Sequence, residues 1–362
     1  MSERLTVQKE ALNALLKHKR AGLAISMGVG KTRIGLYHLN TIFTSNTKAL
    51  VVIPKLSLKK SWLDEIDKTE LHNLTPAIEF VTYLSLNKKN PADYTVIYLD
   101  ECHNLLNSHS AFLRNFTGQI IGLTGTPPVN SFSEKYIMVD TYCPIVYSFS
   151  IDDATEQNIL NDYKIIVHKL NLGTYRNHVK KNKNGGTWLT SEYDDYIYFS
   201  RRLENAATPK DRQMASIMRM RALMDYKTKE RYVERLLDSI NEKCIIFANT
   251  QEQADRIYPY SYHSQNPDSE ENLRMFSEGS INKLSCVLQL SEGVTIPNLK
   301  EGIIMHAYGN ERKTAQRIGR LLRLNPNDTA TCHILCYKNT VDESWINKAL
   351  ESFDKNKIKW VE

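Results

Sequence analysis

The sequence predicts an α/β fold of two parallel-sheet lobes with a small basic, mostly helical segment between them. Three observations carry that expectation. Short apolar runs alternate with helical patterns through residues 1–130, as in a parallel sheet covered by helices. The same alternation resumes at residue 244 and continues toward the end of the chain. Between these stretches the texture turns polar and basic, and 362 residues exceed what one ordinary core holds.

Residues 5–17 read as a helix, 22–26 as a short strand running into a Gly-rich turn, and 32–39 as the next helix. Residues 49–53, 95–99 and 119–123 are apolar runs that end in polar or turn residues, the mark of buried strands. These elements make a first lobe of residues 1–147. Residues 148–240 form the intervening segment, with a Lys/Asn/Gly-rich loop at 180–186 and long polar helical patterns from 191 to 242. Residues 241–362 form the second lobe, with strands expected at 244–247, 284–290, 302–306 and 331–336. Trp345, Ile346, Ala349, Leu350 and Phe353 recur at helical spacing and predict a final helix packed on that lobe.

Composition narrows the function. A 41% hydrophobic content is enough for two cores. No stretch of 18 apolar residues occurs, and Met1 to Arg4 lead into an amphipathic pattern instead of a signal-peptide core, so a soluble, cytoplasmic protein with no membrane partner is expected. The cysteines (Cys102, Cys143, Cys244, Cys286, Cys332, Cys336) are scattered, several within apolar runs, which favours buried thiols over a disulfide framework. Cys332 and Cys336 lack the second ligand pair that zinc needs. The net charge is +6, and residues 161–240 hold 16 basic against 10 acidic residues, so this segment carries the whole excess. Such a run is ordinarily a solvated face; it points to a phosphate backbone only in company with the motifs that follow.

Met27, Gly28, Val29, Gly30, Lys31 and Thr32 follow a strand and open a helix, the setting a phosphate-binding loop requires. Its glycines turn backbone N–H groups toward a phosphate, Lys31 reaches the β and γ phosphates, and Thr32 holds Mg²⁺. Ile25 stands where the full pattern has its first glycine, and an ordinary tight turn is the alternative. Asp100 and Glu101 emerge at the end of the run Val96 to Leu99. Asp100 is placed to bind Mg²⁺ and Glu101 to orient and deprotonate the attacking water; an acidic surface turn is the alternative. Gln316, Arg320 and Arg323 share one face of a helix, where a basic face is ordinarily solvated but arginines can also meet a developing γ-phosphate charge.

In this order the three elements resemble helicase superfamily 2, with the D-E-C-H form of its acidic box at Asp100 to His103, over nearly the whole chain. Pro54, Lys55 and Ser57 with Trp62, then Thr82 and Tyr83, resemble its strand-contact motifs, and Asn249, Thr250 and Gly293 their counterparts in the second lobe. His103, Thr124 and Thr126 fall where the family couples its nucleotide site to its track. In the second-lobe motif that contains Gly293, Thr295 replaces the Asp common there. Gln8 matches an upstream glutamine that reads adenine, with a helix-surface role as the alternative.

The resemblance implies two RecA-like lobes, ATP and Mg²⁺ as cofactors, nucleic acid as partner, and movement along the strand on hydrolysis. It favours compact DNA enzymes of recombination, repair or replication over RNA helicases, acting as monomers with replication or recombination proteins as possible partners. A clamp that ATP resets without separating strands is the reading from another class. In the middle segment, Lys180, Lys181 and Lys183 with Trp188, Tyr193, Tyr196 and Tyr198 can offer a basic stacking surface or a small core under solvated lysines.

Overall fold

The computed structural model describes residues 3–181, 185–287, 296–306, 328–351 and 353–362. Residues Met1–Asp162 form one unit, and a second is built from Tyr163 onward.

In the first unit, strands β1 (Arg20–Ile25), β2 (Ala49–Ile53), β3 (Ile78–Thr82), β4 (Val96–Asp100), β5 (Gln119–Thr124) and β6 (Ile145–Phe149) make one sheet in the order β3-β2-β4-β5-β1-β6. Every pairing is parallel. Every residue of β2 is buried, as are Val96 to Leu99 of β4, which is why these strands read as unbroken apolar runs. The flanking strands β3 and β6 were not expected from sequence, and the reason is physical. They lie at the sheet edges and stay partly exposed, so their residues carry no such run.

Register lines up the carboxyl ends. Ile53 pairs with Thr82, Val52 with Leu99, Asp100 with Leu123, and Ala24 with Thr124. The turns after β1, β2, β3, β4 and β5 therefore leave one edge of the sheet, where open α/β sheets bind ligands.

The second unit contains β7 (Asp162–Leu170), β8 (His178–Lys181), β9 (Thr187–Thr190), β10 (Cys244–Phe247), β11 (Ser261–Tyr262), β12 (Lys283–Cys286), β13 (Glu301–Ile304), β14 (Thr329–Tyr337) and β15 (Ile358–Val361). Its main sheet runs β11-β12-β10-β13-β14-β7-β15, and β8 and β9 form a separate antiparallel hairpin.

Residues 163–240, which composition sets apart, pack within this unit. β7 enters the main sheet, and the helices Glu192–Glu204, Pro209–Asp225 and Lys227–Ser239 place Tyr196, Leu223, Tyr226 and Val233 in one core with Ile246, Ile303 and Tyr337. Each helix buries a narrow stripe, and its wider solvated face dominates the composition.

Buried charges tie these helices down. Lys229, fully buried, donates to Asp342 Oδ2 at 2.6 Å and to the Met305 carbonyl at 2.8 Å, over the ring of Tyr337. Glu192 accepts from Gly173 N, Thr228 N and Thr228 Oγ1 at 3.0, 2.9 and 2.7 Å. His168 bridges Tyr232 and His333, which in turn reaches Glu301. Burial lowers His168 to about 4, with the neighbouring His333 adding to the effect, so it stays neutral.

Replacing Lys229 with Met strands the Asp342 carboxylate and should cost about 3–5 kcal/mol in urea denaturation. Adding Asp342→Leu should recover much of that loss; a double variant as unstable as the single one would show that packing, not charge, sets the cost.

Candidate functional site

After β1 the chain turns through residues 26–30 into the helix Lys31–Ile42. Gly28 and Gly30 have φ of 91° and 111°, backbone that side chains rarely adopt. A Cβ at Gly30 would stand 2.6 Å from Gln8 Nε2. Gln8 is buried, and its amide donates to the Val29 carbonyl at 2.7 Å, so it braces the loop from beneath. Gly30 gives the helix no side-chain cap, which leaves its first N–H groups to other acceptors. Lys31 leans over the turn after β5, its Nζ 3.0 Å from where a Cβ of Gly125 would be. Thr32 follows in the first turn of the helix, and Met27 lines the same turn with Cγ 3.4 Å from that Gly125 position.

Asp100 ends β4, and Glu101 follows with φ 50°, a left-handed conformation that is strained for a non-glycine residue. Three donors hold Asp100. Trp62 Nε1 donates to Oδ2 at 2.9 Å, Glu101 N to Oδ1 at 3.1 Å, and the Tyr83 hydroxyl to the main-chain oxygen at 2.9 Å. Burial, then the adjacent Glu101 charge, pushes the Asp100 carboxyl up to about 6, against the pull of Trp62 and Lys31. His103 Nδ1 lies 3.5 Å from Glu101 Oε2 and shares a 2.9 Å hydrogen bond with Thr124 Oγ1. Thr124 Oγ1 in turn accepts from Thr126 N at 3.1 Å. A polar chain thus runs from the acidic turn to the turn after β5.

Around this edge, Gln8 Oε1, Ser26 Oγ, Glu101 Oε2 and Thr126 Oγ1 are buried with no hydrogen-bond partner among the described residues. Leaving such groups unpaired costs roughly 1–3 kcal/mol each, so four gathered at one sheet edge suit a polar ligand. The donor set fits a nucleoside triphosphate with its metal. An uncapped helix start and Lys31 suit a polyphosphate, while Thr32 and Asp100 offer the oxygen ligands that Mg²⁺ takes alongside retained water.

The expected strand contacts are distributed unevenly. Pro54 is partly exposed, Lys55 and Ser57 are exposed, and Thr82 is partly exposed, all on the edge described above. Tyr83 is instead buried, its hydroxyl committed to Asp100. In the second unit, Thr250 caps the helix Gln251–Ile257 by accepting from Gln253 N, and Asn249 N donates to the Gln253 side chain. Gly293, Gln316, Arg320 and Arg323 lie outside the described residues, as does Lys183. Tyr196 is a core residue and Lys180 pairs with Asp195 at 2.7 Å, whereas Trp188, Tyr193 and Tyr198 are about half exposed. Trp62 stands in a motif that is legible in the sequence, but its bond to Asp100 is not, because the two residues are 38 positions apart.

Two family models match the chain: "Type III restriction enzyme, res subunit" over residues 3–129 and "Helicase conserved C-terminal domain" over residues 228–325. The chain is similar to a DNA 3'-5' translocase, XPB2, of Sulfurisphaera tokodaii, with 25% identity across 92% of this chain and 82% of the relative. It is also similar to a putative ATP-dependent RNA helicase of Acanthamoeba polyphaga mimivirus, with 22% identity across 87% of this chain and 83% of that one. Among solved structures, the ATP-dependent Type ISP restriction-modification enzyme LlaBIII bound to DNA matches with a TM-score of 0.62 at 15% identity, over 100% of this chain and 31% of that longer one. A variant of S. cerevisiae Dbp5 bound to RNA and ADP BeF3 matches with a TM-score of 0.59 at 14% identity, over 98% and 89%. The two sheets are RecA-like lobes of the kind these proteins contain.

Gly30→Ala should destabilise the protein by about 1–3 kcal/mol, through its φ and through collision with Gln8. Thermal melting checks this. Gln8→Ala in the same chain should relieve only the collision, and full recovery would show that the φ constraint is absent.

Proposed function

The chain belongs to helicase superfamily 2, the nucleic-acid-stimulated ATPases, and from that premise we propose that it is a DNA helicase or translocase. The observation that carries the mechanism is the convergence, at one sheet edge, of an uncapped glycine loop, an acidic pair and four buried polar atoms without partners.

In this reading Lys31 and the N–H groups of residues 28–32 bind the β and γ phosphates, and Gln8, whose Nε2 is held by the Val29 carbonyl, has its Oε1 left to accept from the adenine. Thr32 and Asp100 hold Mg²⁺, which when bound offsets the charge of the phosphate oxygens. Glu101 orients a water molecule and takes its proton as the water oxygen bonds to the γ-phosphorus and ADP leaves. Its Oε2 makes no hydrogen bond among the described residues and has His103 Nδ1 beside it at 3.5 Å, which suits that task. Gln316, Arg320 and Arg323 supply the cations that meet the developing γ-phosphate charge. His103, Thr124 and Thr126, bonded from the acidic turn to the turn after β5, couple the nucleotide site to the strand in this reading.

The strand passes Pro54, Lys55, Ser57 and Thr82 in the first unit and Asn249, Thr250 and Gly293 in the second. These contacts are mainly with phosphate and sugar, so sequence preference is weak. The preference for DNA is supported by the match of residues 3–129 to a restriction-enzyme subunit and by the relative named a DNA translocase. A role in recombination, repair or replication follows from the same reading. The mimivirus relative named an RNA helicase supports RNA as the second reading.

Steady-state ATP hydrolysis should rise strongly with single-stranded DNA, less with matched RNA, and fall at least about 100-fold in Glu101→Gln. Equal stimulation by both polymers would remove the DNA preference; stimulation by RNA alone would reverse it.

A further inference from the structure

We propose that Trp62 and Tyr83 are positioning residues through which strand binding acts on the Asp100 carboxylate. The inference rests on the reading above, in which Asp100 holds the metal and the segments after β2 and β3 meet the strand.

Trp62 lies in the helix Lys59–Thr69, which follows the exposed residues Lys55 to Ser57 almost directly. Its indole is fully buried. The ring packs edge-on against Phe80 of β3, with centroids 6.4 Å apart, and lies 6.0 Å from the ring of Tyr98 in β4. A Cβ at Gly35 would come within 3.2 Å of Trp62 Cη2, so the helix that begins at Lys31 closes the remaining side. An indole has a single donor, and here Asp100 Oδ2 receives it. The wedged ring has no room to swing independently of its own helix, so displacement of that helix changes the bond to Asp100.

Tyr83 makes the second link. It follows Thr82 at the end of β3, is buried, and packs against His109 with ring centroids 5.5 Å apart. Its hydroxyl donates to the Asp100 carbonyl. Each of the two segments on the strand side therefore sends one buried donor to the same residue, one to its side chain and the other to its backbone. The His103, Thr124 and Thr126 chain is a second route, which meets Glu101. Strand binding thereby biases how the Asp100 carboxylate is held.

Trp62→Phe keeps an aromatic ring and removes the donor; Tyr83→Phe removes one hydroxyl. Both are compared with the wild type and Asp100→Asn, using the single-stranded oligonucleotide that stimulates the wild type most. Strand affinity, measured by anisotropy without nucleotide or Mg²⁺, should stay within about twofold of the wild type, while strand-stimulated kcat falls about tenfold in Trp62→Phe and less in Tyr83→Phe, with KM for ATP little changed. In a Trp188→Phe background, which removes the half-exposed indole, adding the oligonucleotide alone should change tryptophan emission, and that change should be missing once Trp62→Phe is added.

Wild-type stimulation in both variants would overturn the proposal, as would a loss of affinity that accounts for the loss of stimulation. Tyr83→Phe decides the matter should Trp62→Phe fail to fold. A wild type that no polymer stimulates, or an Asp100→Asn protein with wild-type kcat, would instead sink the underlying reading and the inference with it. That failure is distinguishable because it appears with Trp62 and Tyr83 intact.

Discussion

A carboxylate at the mouth of a buried strand is the constraint around which the first unit is arranged. Asp100 follows four buried residues of β4, and burial there, with the adjacent Glu101 charge, disfavours its ionised form. The donors that hold it come from elsewhere: Trp62 in one helix, Tyr83 after an edge strand, and the backbone of Glu101. Satisfying that one residue fixes the placement of the turns after β2 and β3 relative to β4. Those turns carry the residues proposed to meet the strand, so the nucleotide side and the track side of this unit share a hydrogen-bonded core.

The second unit buries charge with a different outcome. Lys229 and Asp342 meet in ion-paired contact, each with a further backbone partner, and Glu192 accepts three hydrogen bonds. Pairing of that kind stitches the helices of residues 192–239 to the sheet. At the carboxyl edge of the first sheet four buried polar atoms make no hydrogen bond among the described residues, and there, unlike the scattered orphaned atoms of the second unit, they gather at one place. Buried polarity that closes on itself serves the fold, and buried polarity that converges unpaired on one edge suits a ligand. The strained backbone of Glu101 belongs with the second kind, since it aims a carboxylate at the edge at a conformational cost.

Much of this was legible in the sequence. Fully buried central strands reveal themselves as unbroken apolar runs, and a phosphate loop or a strand-end acidic pair is a local pattern, because the backbone geometry it needs is set by adjacent residues. Hence two parallel-sheet lobes, the turn at Gly28 to Thr32 and the pair Asp100 and Glu101 could be read residue by residue. The edge strands β3 and β6 could not, since exposure on one side breaks the run that marks a strand.

What only the tertiary structure decided is which distant residues meet. The Trp62 bond to Asp100 and the Lys229 pair with Asp342 span 38 and 113 positions, and no periodicity records a contact at such separations. Tyr83 illustrates the difference: its place after Thr82 suggested a strand contact, but the packing of β3 against β2 turns its ring inward and commits its hydroxyl to Asp100. Residues 163–240 show it on a larger scale, because a composition dominated by solvated helix faces hides the stripes that bury Tyr196, Tyr226 and Val233 in the second core. Local chemistry is written along the chain, whereas burial depends on what the rest of the chain brings alongside.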